Sequence, residues 1–166
     1  MSEEIPLPGA TAGRTAVALD DIDRQILHRL LEDGRISVRA LAEQVHISRA
    51  NAYTRIGRLV AEDVITGFTA RLNAQRAGLG TSAYVTMTIE QNAWRDISRA
   101  LREMPYVEHV ALVTGDFDVL VLVRAPDNLA LRRVVLESIQ AVPGVRSTRT
   151  WLVFDEVRGP GANWTN

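Results

Sequence analysis

From residue 19 to residue 60 the apolar positions fall into three short runs at helical spacing. The first holds Leu19, Ile22, Ile26, Leu27, Leu30 and Leu31, with Asp20 or Asp21 placed to cap its start and Gly34 to stop it. The second follows Ser37 and puts Val38, Leu41, Ala42 and Val45 on one face. After a tight break at His46-Ile47, Ser48 is placed to cap a third helix whose inward face is Ala52, Ile56, Leu59 and Val60. Residues 64–72 then predict a short hairpin or wing. Residues 73–80, where Gly78 and Gly80 flank Leu79, predict a hinge. No strand leads into this Gly-Leu-Gly and no helix opens from it, so it is not a dinucleotide-binding loop.

Beyond residue 80 the period changes. Thr81 to Glu90 alternates, with Ala83, Val85, Met87 and Ile89 on one side and Tyr84, Thr86 and Thr88 on the other, which predicts a strand. Trp94, Ile97, Leu101 and Met104 return to helical spacing until Pro105. Val107 to Val113 and Val119 to Val123 read as strands around a turn at residues 114–118. A second helix carries Leu131, Val134, Val135 and Ile139, and a last strand runs from Val145 to about Val157. The order β-α-β-β-α-β predicts a ferredoxin-like sandwich, with both helices on one face of a four-stranded antiparallel sheet. The expected fold class is therefore α+β, a winged helix-turn-helix followed by that sandwich. Residues 1–18 are expected as a flexible tail, 19–72 as the first domain, 73–80 as the hinge, 81–158 as the second domain and 159–166 as a C-terminal tail. The bare sheet face is apolar enough to require a cover, and a second copy of the same sheet is the economical one.

The short break between the second and third helices is what a helix-turn-helix requires, and it makes the third helix the natural recognition helix. Its outer positions, Arg49, Asn51, Tyr53, Thr54, Arg55 and Arg58, all carry hydrogen-bond donors. A plain three-helix unit would show the same apolar stripe without that donor-rich face. Ser48 marks the helix N-terminus, where unpaired N–H groups suit a phosphate. Arg49, Asn51 and Thr54 suit base edges in a major groove, Arg55 and Arg58 suit phosphates, and Tyr53 suits either or simply packs. Double-stranded DNA is the expected partner. Gly57 is discordant, since glycine costs a helix about 1 kcal/mol relative to alanine.

Charge sharpens the picture. The net charge is −1, yet residues 20–33 carry five acids against two arginines, whereas residues 35–58 carry five arginines against Glu43 alone. A neutral chain with one basic stretch is a candidate for a localised anion-binding surface, although a solvated helix face has the same signature. There is no cysteine, and every one of the 19 basic residues is arginine. Thiolate chemistry, Schiff bases and a P-loop lysine are thereby excluded. His28, His46 and His109 are too scattered to suggest a metal cluster, and no cofactor is expected. No apolar run reaches the roughly 18 residues of a membrane span, and the opening residues lack the apolar core of a secretory signal. A cytoplasmic protein without membrane association is expected.

Taken together, Leu19-Asp20-Asp21-Ile22-Asp23-Arg24-Gln25-Ile26-Leu27, Asp33-Gly34-Arg35-Ile36-Ser37, Leu41-Ala42, Ile47-Ser48, Arg55-Ile56, Arg58-Leu59 and Val64-Ile65-Thr66-Gly67 form one pattern. Val113-Thr114-Gly115-Asp116-Phe117-Asp118 and Thr148-Arg149-Thr150 extend it into the second domain. This pattern resembles the Lrp/AsnC, or feast/famine, family of prokaryotic transcription regulators over about residues 19–157. The resemblance implies a DNA-binding regulator, homodimeric through its C-terminal sheets and commonly octameric, with an amino acid or related effector bound between those domains. By position it implies an effector site at Thr114, Gly115, Asp116, Phe117 and Asp118, with Trp94, Leu112 and a neighbouring subunit's Gln140 as further lining. Turn N–H groups can hold a carboxylate and an aspartate can hold an ammonium, although Gly115-Asp116 also suits an ordinary hairpin turn. The chain departs from common members in its long N-terminal segment, in Arg49 where proline is frequent and in Gly57 where a basic residue is usual.

Two other classes share the architecture. Siroheme-decarboxylase-like enzymes use histidine and arginine around a tetrapyrrole, but the second domain here offers only His109. An effector-binding module without DNA activity would need no donor-rich third helix. Neither displaces the regulator, and no enzymatic activity is expected.

Overall fold

The computed structural model describes residues 16–157, 159, 161, 162 and 164. The expected N-terminal tail lies outside them up to residue 15. The chain packs into two compact units, Met1–Ala70 with Pro160–Asn166, and Arg71–Gly159.

In the first unit, α1 spans Asp21–Glu32, α2 Val38–Gln44 and α3 Arg49–Ala61. Each start is fixed by a side chain. Asp20 caps α1 in a reciprocal box with Asp23, Ser37 accepts from the Ala40 N–H, and Ser48 accepts from the Asn51 N–H. The break between α2 and α3 is tight because His46 takes a positive φ of 56° and the Ile47 N–H returns to the Ala42 carbonyl. Ile26, Leu27, Leu41, Val45 and Leu59 form the buried centre. Val60, expected inside, is 44% exposed, because the stripe of α3 is satisfied by Ala52 and Leu59.

Two expectations for this unit change. Residues 64–72 form no strand: Val64 and Ile65 both donate their N–H to the Leu59 carbonyl and pack on the helical core, so they close α3 instead of opening a hairpin. The segment 159–166, expected as a tail, contributes Trp164, which packs half-buried against the same core.

In the second unit, β1 (Thr81–Ile89), α4 (Trp94–Glu103), β2 (Val107–Leu112), β3 (Val119–Ala125), α5 (Asn128–Arg132) and β4 (Val145–Leu152) follow the expected order. The helix after Asp127 runs from α5 into a π-helical stretch, Arg133–Ile139. The sheet is antiparallel throughout, in the order β2-β3-β1-β4. Ala83, Val85, Met87, Val119, Val121 and Val123 meet Ile97, Leu101, Leu131, Val134, Val135 and Ile139 in one core. Gly144, at φ +90°, lies against α4, where a Cβ would come within 2.7 Å of the Ala93 Cβ. The last strand is shorter than expected and ends at Leu152. Beyond it, Val153 still donates to the Ser82 carbonyl at 2.9 Å, and Arg124 then holds Glu156 at 2.6 Å while also pairing with Glu108. Residues 73–80, expected as a hinge, form a bonded turn, with Leu79 N–H on the Ala74 carbonyl and Gly80 N–H on the Pro126 carbonyl.

Candidate functional site

Two sites were anticipated, and the structure treats them differently. On α3, Ser48 is occupied as the cap. Arg49 is exposed at the first helical position, its guanidinium 5.6 Å from the centre of the Tyr53 ring, a cation–π distance. Tyr53 is itself 53% exposed. Thr54 is exposed too, but its hydroxyl donates to the Ala50 carbonyl at 3.1 Å, so outward it offers a methyl group and lone pairs. Asn51 is exposed, with its carbonyl oxygen accepting from Arg55 Nε at 3.0 Å.

Arg55 and Arg58 turn inward. Arg55 reaches Asp20 at 2.7 Å and Asp23 at 2.8 Å, and its side chain is only 20% exposed. Arg58 pairs with the other oxygen of Asp23 and, at 3.6 Å, with Glu62. Asp23 is 1% exposed. Burial pushes its carboxyl up, but hydrogen bonds from Arg58 and Arg55 outweigh that and hold it below its ordinary value. The Asp20 carboxyl is also held low, first by the Asp23 backbone N–H and then by Arg55. These two arginines, anticipated as phosphate contacts, tie α3 to Asp23 of α1 and to its cap Asp20. The sequence reading missed Asp23 as their anchor. Its signal was a carboxylate three residues before Ile26, on the apolar side of α1.

In the second unit the turn between β2 and β3 exposes Thr114, Gly115 and Asp116, with Phe117 and Asp118 half-buried. Gly115 takes φ +135°, a conformation that side chains resist, and nothing stands within 4 Å of where a Cβ would be. Asp118 is tied into the sheet. One of its carboxylate oxygens accepts the Ile89 N–H at 2.9 Å, where the β1 ladder shifts register, and its N–H donates to the Met87 carbonyl. Leu112, 53% exposed, leads into the turn. Trp94 packs into the helix-side core, and Gln140 donates to the Thr148 hydroxyl at 2.8 Å, so other elements place these two. His109 lies exposed on β2. Among the described residues no group of three or more His, Asp or Glu is arranged to hold a metal ion. No helix in them is long and apolar enough to cross a membrane.

Two family models match the chain, the AsnC-type helix-turn-helix domain over residues 19–60 and the Lrp/AsnC ligand binding domain over residues 82–161. Among curated proteins, the proline dehydrogenase transcriptional activator of Rhizobium radiobacter is 37% identical over 146 residues, covering 86% of this chain and 94% of its own. The leucine-responsive regulatory protein of Escherichia coli strain K12 is 36% identical, over 84% of this chain and 87% of its own. Among solved structures, the feast or famine regulatory protein of M. tuberculosis, complexed with L-methionine, aligns with a TM-score of 0.80 at 30% identity, covering 88% and 99% of the two chains. A transcriptional regulator from Neisseria meningitidis, also in complex with L-methionine, aligns at 0.79 with 26% identity, covering 86% and 94%.

Proposed function

The chain belongs to the Lrp/AsnC family of transcriptional regulators, and from that premise we propose that it binds duplex DNA through α3 and answers to a free amino acid at the Thr114–Asp118 turn. The observation that carries the first half is the exposed face of Arg49, Asn51, Tyr53 and Thr54 on the second helix of a helix-turn-helix. For the second half, the support is a turn with exposed residues beside half-buried Asp118, in a domain matched as ligand-binding. The two methionine-bound relatives add the ligand class. An amino acid presents a carboxylate to the turn N–H groups and an ammonium to Asp116 or to the unengaged oxygen of Asp118.

The protein acts as a homodimer closed sheet against sheet, assembling to octamers, in the cytoplasm and without catalysing a reaction. The open sheet face supports this, since Tyr84, Leu120 and Trp151 share it and Trp151 is 59% exposed. An effector that completes its site between dimers shifts assembly, and with it DNA affinity, by its differential affinity for the two states.

The test starts with duplexes selected by the full-length protein from a randomised library. Their binding is titrated with each of the twenty amino acids present in turn. At least one is expected to move the affinity by about 5- to 150-fold, a typical allosteric coupling. That response should disappear in Asp116→Ala/Asp118→Asn, which removes both carboxylates while leaving an oxygen for the Ile89 N–H. Failure to select any duplex overturns the DNA reading, and indifference to all twenty overturns the effector reading.

A further inference from the structure

The helical core of the first unit is completed by a side chain from the far end of the chain. Ile26, Leu27, Leu41, Val45 and Leu59 form its centre, and Trp164 is the one aromatic packed on them among the described residues. Three helices between Asp21 and Ala61 are close to the size of about 40 residues below which a domain usually needs added support. A half-buried tryptophan is therefore a large share of such a core. That tryptophan arrives by way of the second unit, which holds Arg71–Gly159 before Pro160–Asn166 returns to the first. At its other end the same segment is fastened to the sheet. Val153 N–H bonds the Ser82 carbonyl of β1 at 2.9 Å, and Glu156 pairs at 2.6 Å with Arg124 of β3. The Arg124 side chain is 11% exposed and is also held by Glu108 and, at 3.1 Å, by the Ser82 hydroxyl. Seven residues, 157–163, join Glu156 to Trp164. The two strands that carry the sheet anchor meet the Thr114–Asp118 turn at their opposite ends. On β1, Ile89 donates its N–H to the Asp118 carboxylate, and β3 begins at Val119, directly after the turn.

Resting on the reading of that turn as the effector site and of α3 as the DNA-binding helix, we propose that residues 153–164 are a strap through which the effector unit sets the stability of the DNA-binding unit. Docked, Trp164 completes a core drawn from α1, α2 and α3; released, it leaves that core open to water. A short tether keeps Trp164 at about millimolar effective concentration, so a small contact suffices to hold it. The same arithmetic makes docking sensitive to how the sheet end of the tether is held. An effector that favours one arrangement of β1 and β3 therefore shifts the docked fraction, and with it the order of α3.

The experiment uses the full-length chain with Trp94→Phe/Trp151→Phe, which leaves Trp164 as the only tryptophan of three. A site-specific protease sequence is inserted after Gly159, and the uncut insert is the control. Cutting and diluting to micromolar should move the emission to that of a solvated tryptophan, because the tether's effective concentration is lost. Amides of α1, α2 and α3 should then exchange roughly 10- to 100-fold faster, the equivalent of half a buried tryptophan, while those of β1 and β3 stay as they were. Unchanged exchange in the three helices overturns the inference. For the signal, duplex affinity is titrated with whichever amino acid shifts it in the wild type. Trp164→Ala should lose that shift. So should Glu156→Arg, which sets two arginines against each other and loosens only the sheet end. A shift of wild-type size in Glu156→Arg overturns the strap and leaves the effector reading intact, even if Trp164→Ala proves too unstable to assay. If no duplex is selected, or no amino acid shifts the wild type, the DNA or the effector reading falls, and the strap falls with it for want of a signal to carry.

Discussion

Removing both arginines that hold Asp23 should reverse the pH dependence of the first unit's stability. In the wild type the buried carboxylate gives one oxygen to Arg55 and the other to Arg58. Arg55→Met alone leaves Arg58 in place, and Asp20, 54% exposed, rehydrates, so its screened contact is worth little. The single cost is that of one charged hydrogen bond, about 1.5–3 kcal/mol. Arg58→Met should cost a similar amount. The double variant leaves a carboxylate that is 1% exposed with no cation, only the Asp20 N–H at 3.2 Å, and losing the charged partners of a buried charge costs about 3–5 kcal/mol. One escape limits the penalty: the carboxyl can take up a proton, at about 4 kcal/mol at pH 7 for a group with an ordinary value near 3.9. The sign of the linkage then inverts. In the wild type the folded carboxyls of Asp20 and Asp23 titrate below their unfolded values, so their stability is present above about pH 4 and is lost on acidification below it. In the double variant the folded value lies above the unfolded one, so stability rises as pH falls from 7 toward 4. Trp164 reports on this unit, and Trp94→Phe/Trp151→Phe leaves it as the only tryptophan of three. Urea unfolding followed by its fluorescence at pH 7, 5.5 and 4 supplies the numbers. Additive single costs, within about 0.5 kcal/mol, together with a pH dependence like the wild type's would refute the shared-anchor argument.

Gly57 sits inside α3 with nothing within 4 Å of a built Cβ, so Gly57→Ala should stabilise the first unit by about 0.5–1 kcal/mol in thermal melts. A loss of duplex affinity in the same variant would show that DNA backbone occupies that space. Gly144→Ala should destabilise the second unit by about 1–3 kcal/mol, because it combines a positive φ with a 2.7 Å contact against Ala93; an unchanged melting temperature would mean that α4 simply shifts aside. Trp151→Glu places a charge on the open sheet face and should lower the molar mass seen by light scattering at micromolar concentration, a result that sheet-to-sheet pairing requires.

Much of the fold was legible because its signals are periodic and local. Ser48 caps the helix it was expected to cap, Asp20 is the one of the two candidate aspartates that caps α1, the second helix follows Ser37 as expected, and the alternation of β1 separated its core side from its other side. What escaped depends on partners distant in sequence. An extended run such as residues 64–72 reads as a strand by composition, but a strand forms only where a ladder partner exists, and helix closure at Leu59 took its first two N–H groups instead. Arg55 and Arg58 were legible as donors, whereas the direction in which they donate was set by Asp20 and Asp23, more than thirty residues away. The bond from the Ile89 N–H to Asp118 escaped for the same reason, since Ile89 becomes a neighbour only when the sheet forms. Trp164 carried no pattern at all. A lone aromatic near a chain end has no period to betray what it packs on.

The basic stretch of residues 35–58 thus divides into two kinds of arginine, and on the proposed role of α3 the division bears on how a chain of net charge −1 would present a DNA surface. Arg55 and Arg58 are neutralised at home by acids of α1, and Arg39 pairs with Glu43 at 3.0 Å on an exposed face. Among the described residues of that stretch, Arg35 and Arg49 are the arginines with no ion pair. Sequence-independent affinity grows with the number of phosphates neutralised, so a helix that spends two of its three arginines internally gives up general attraction to the backbone. What it gains is geometry. The buried carboxylate fixes α3 against α1 and, through Arg55, fixes the amide that faces outward. Specificity is a difference of affinities in which the uniform part cancels, so it rests on base-reading groups that arrive in one orientation. On that argument the acids of α1 contribute to recognition without approaching the DNA.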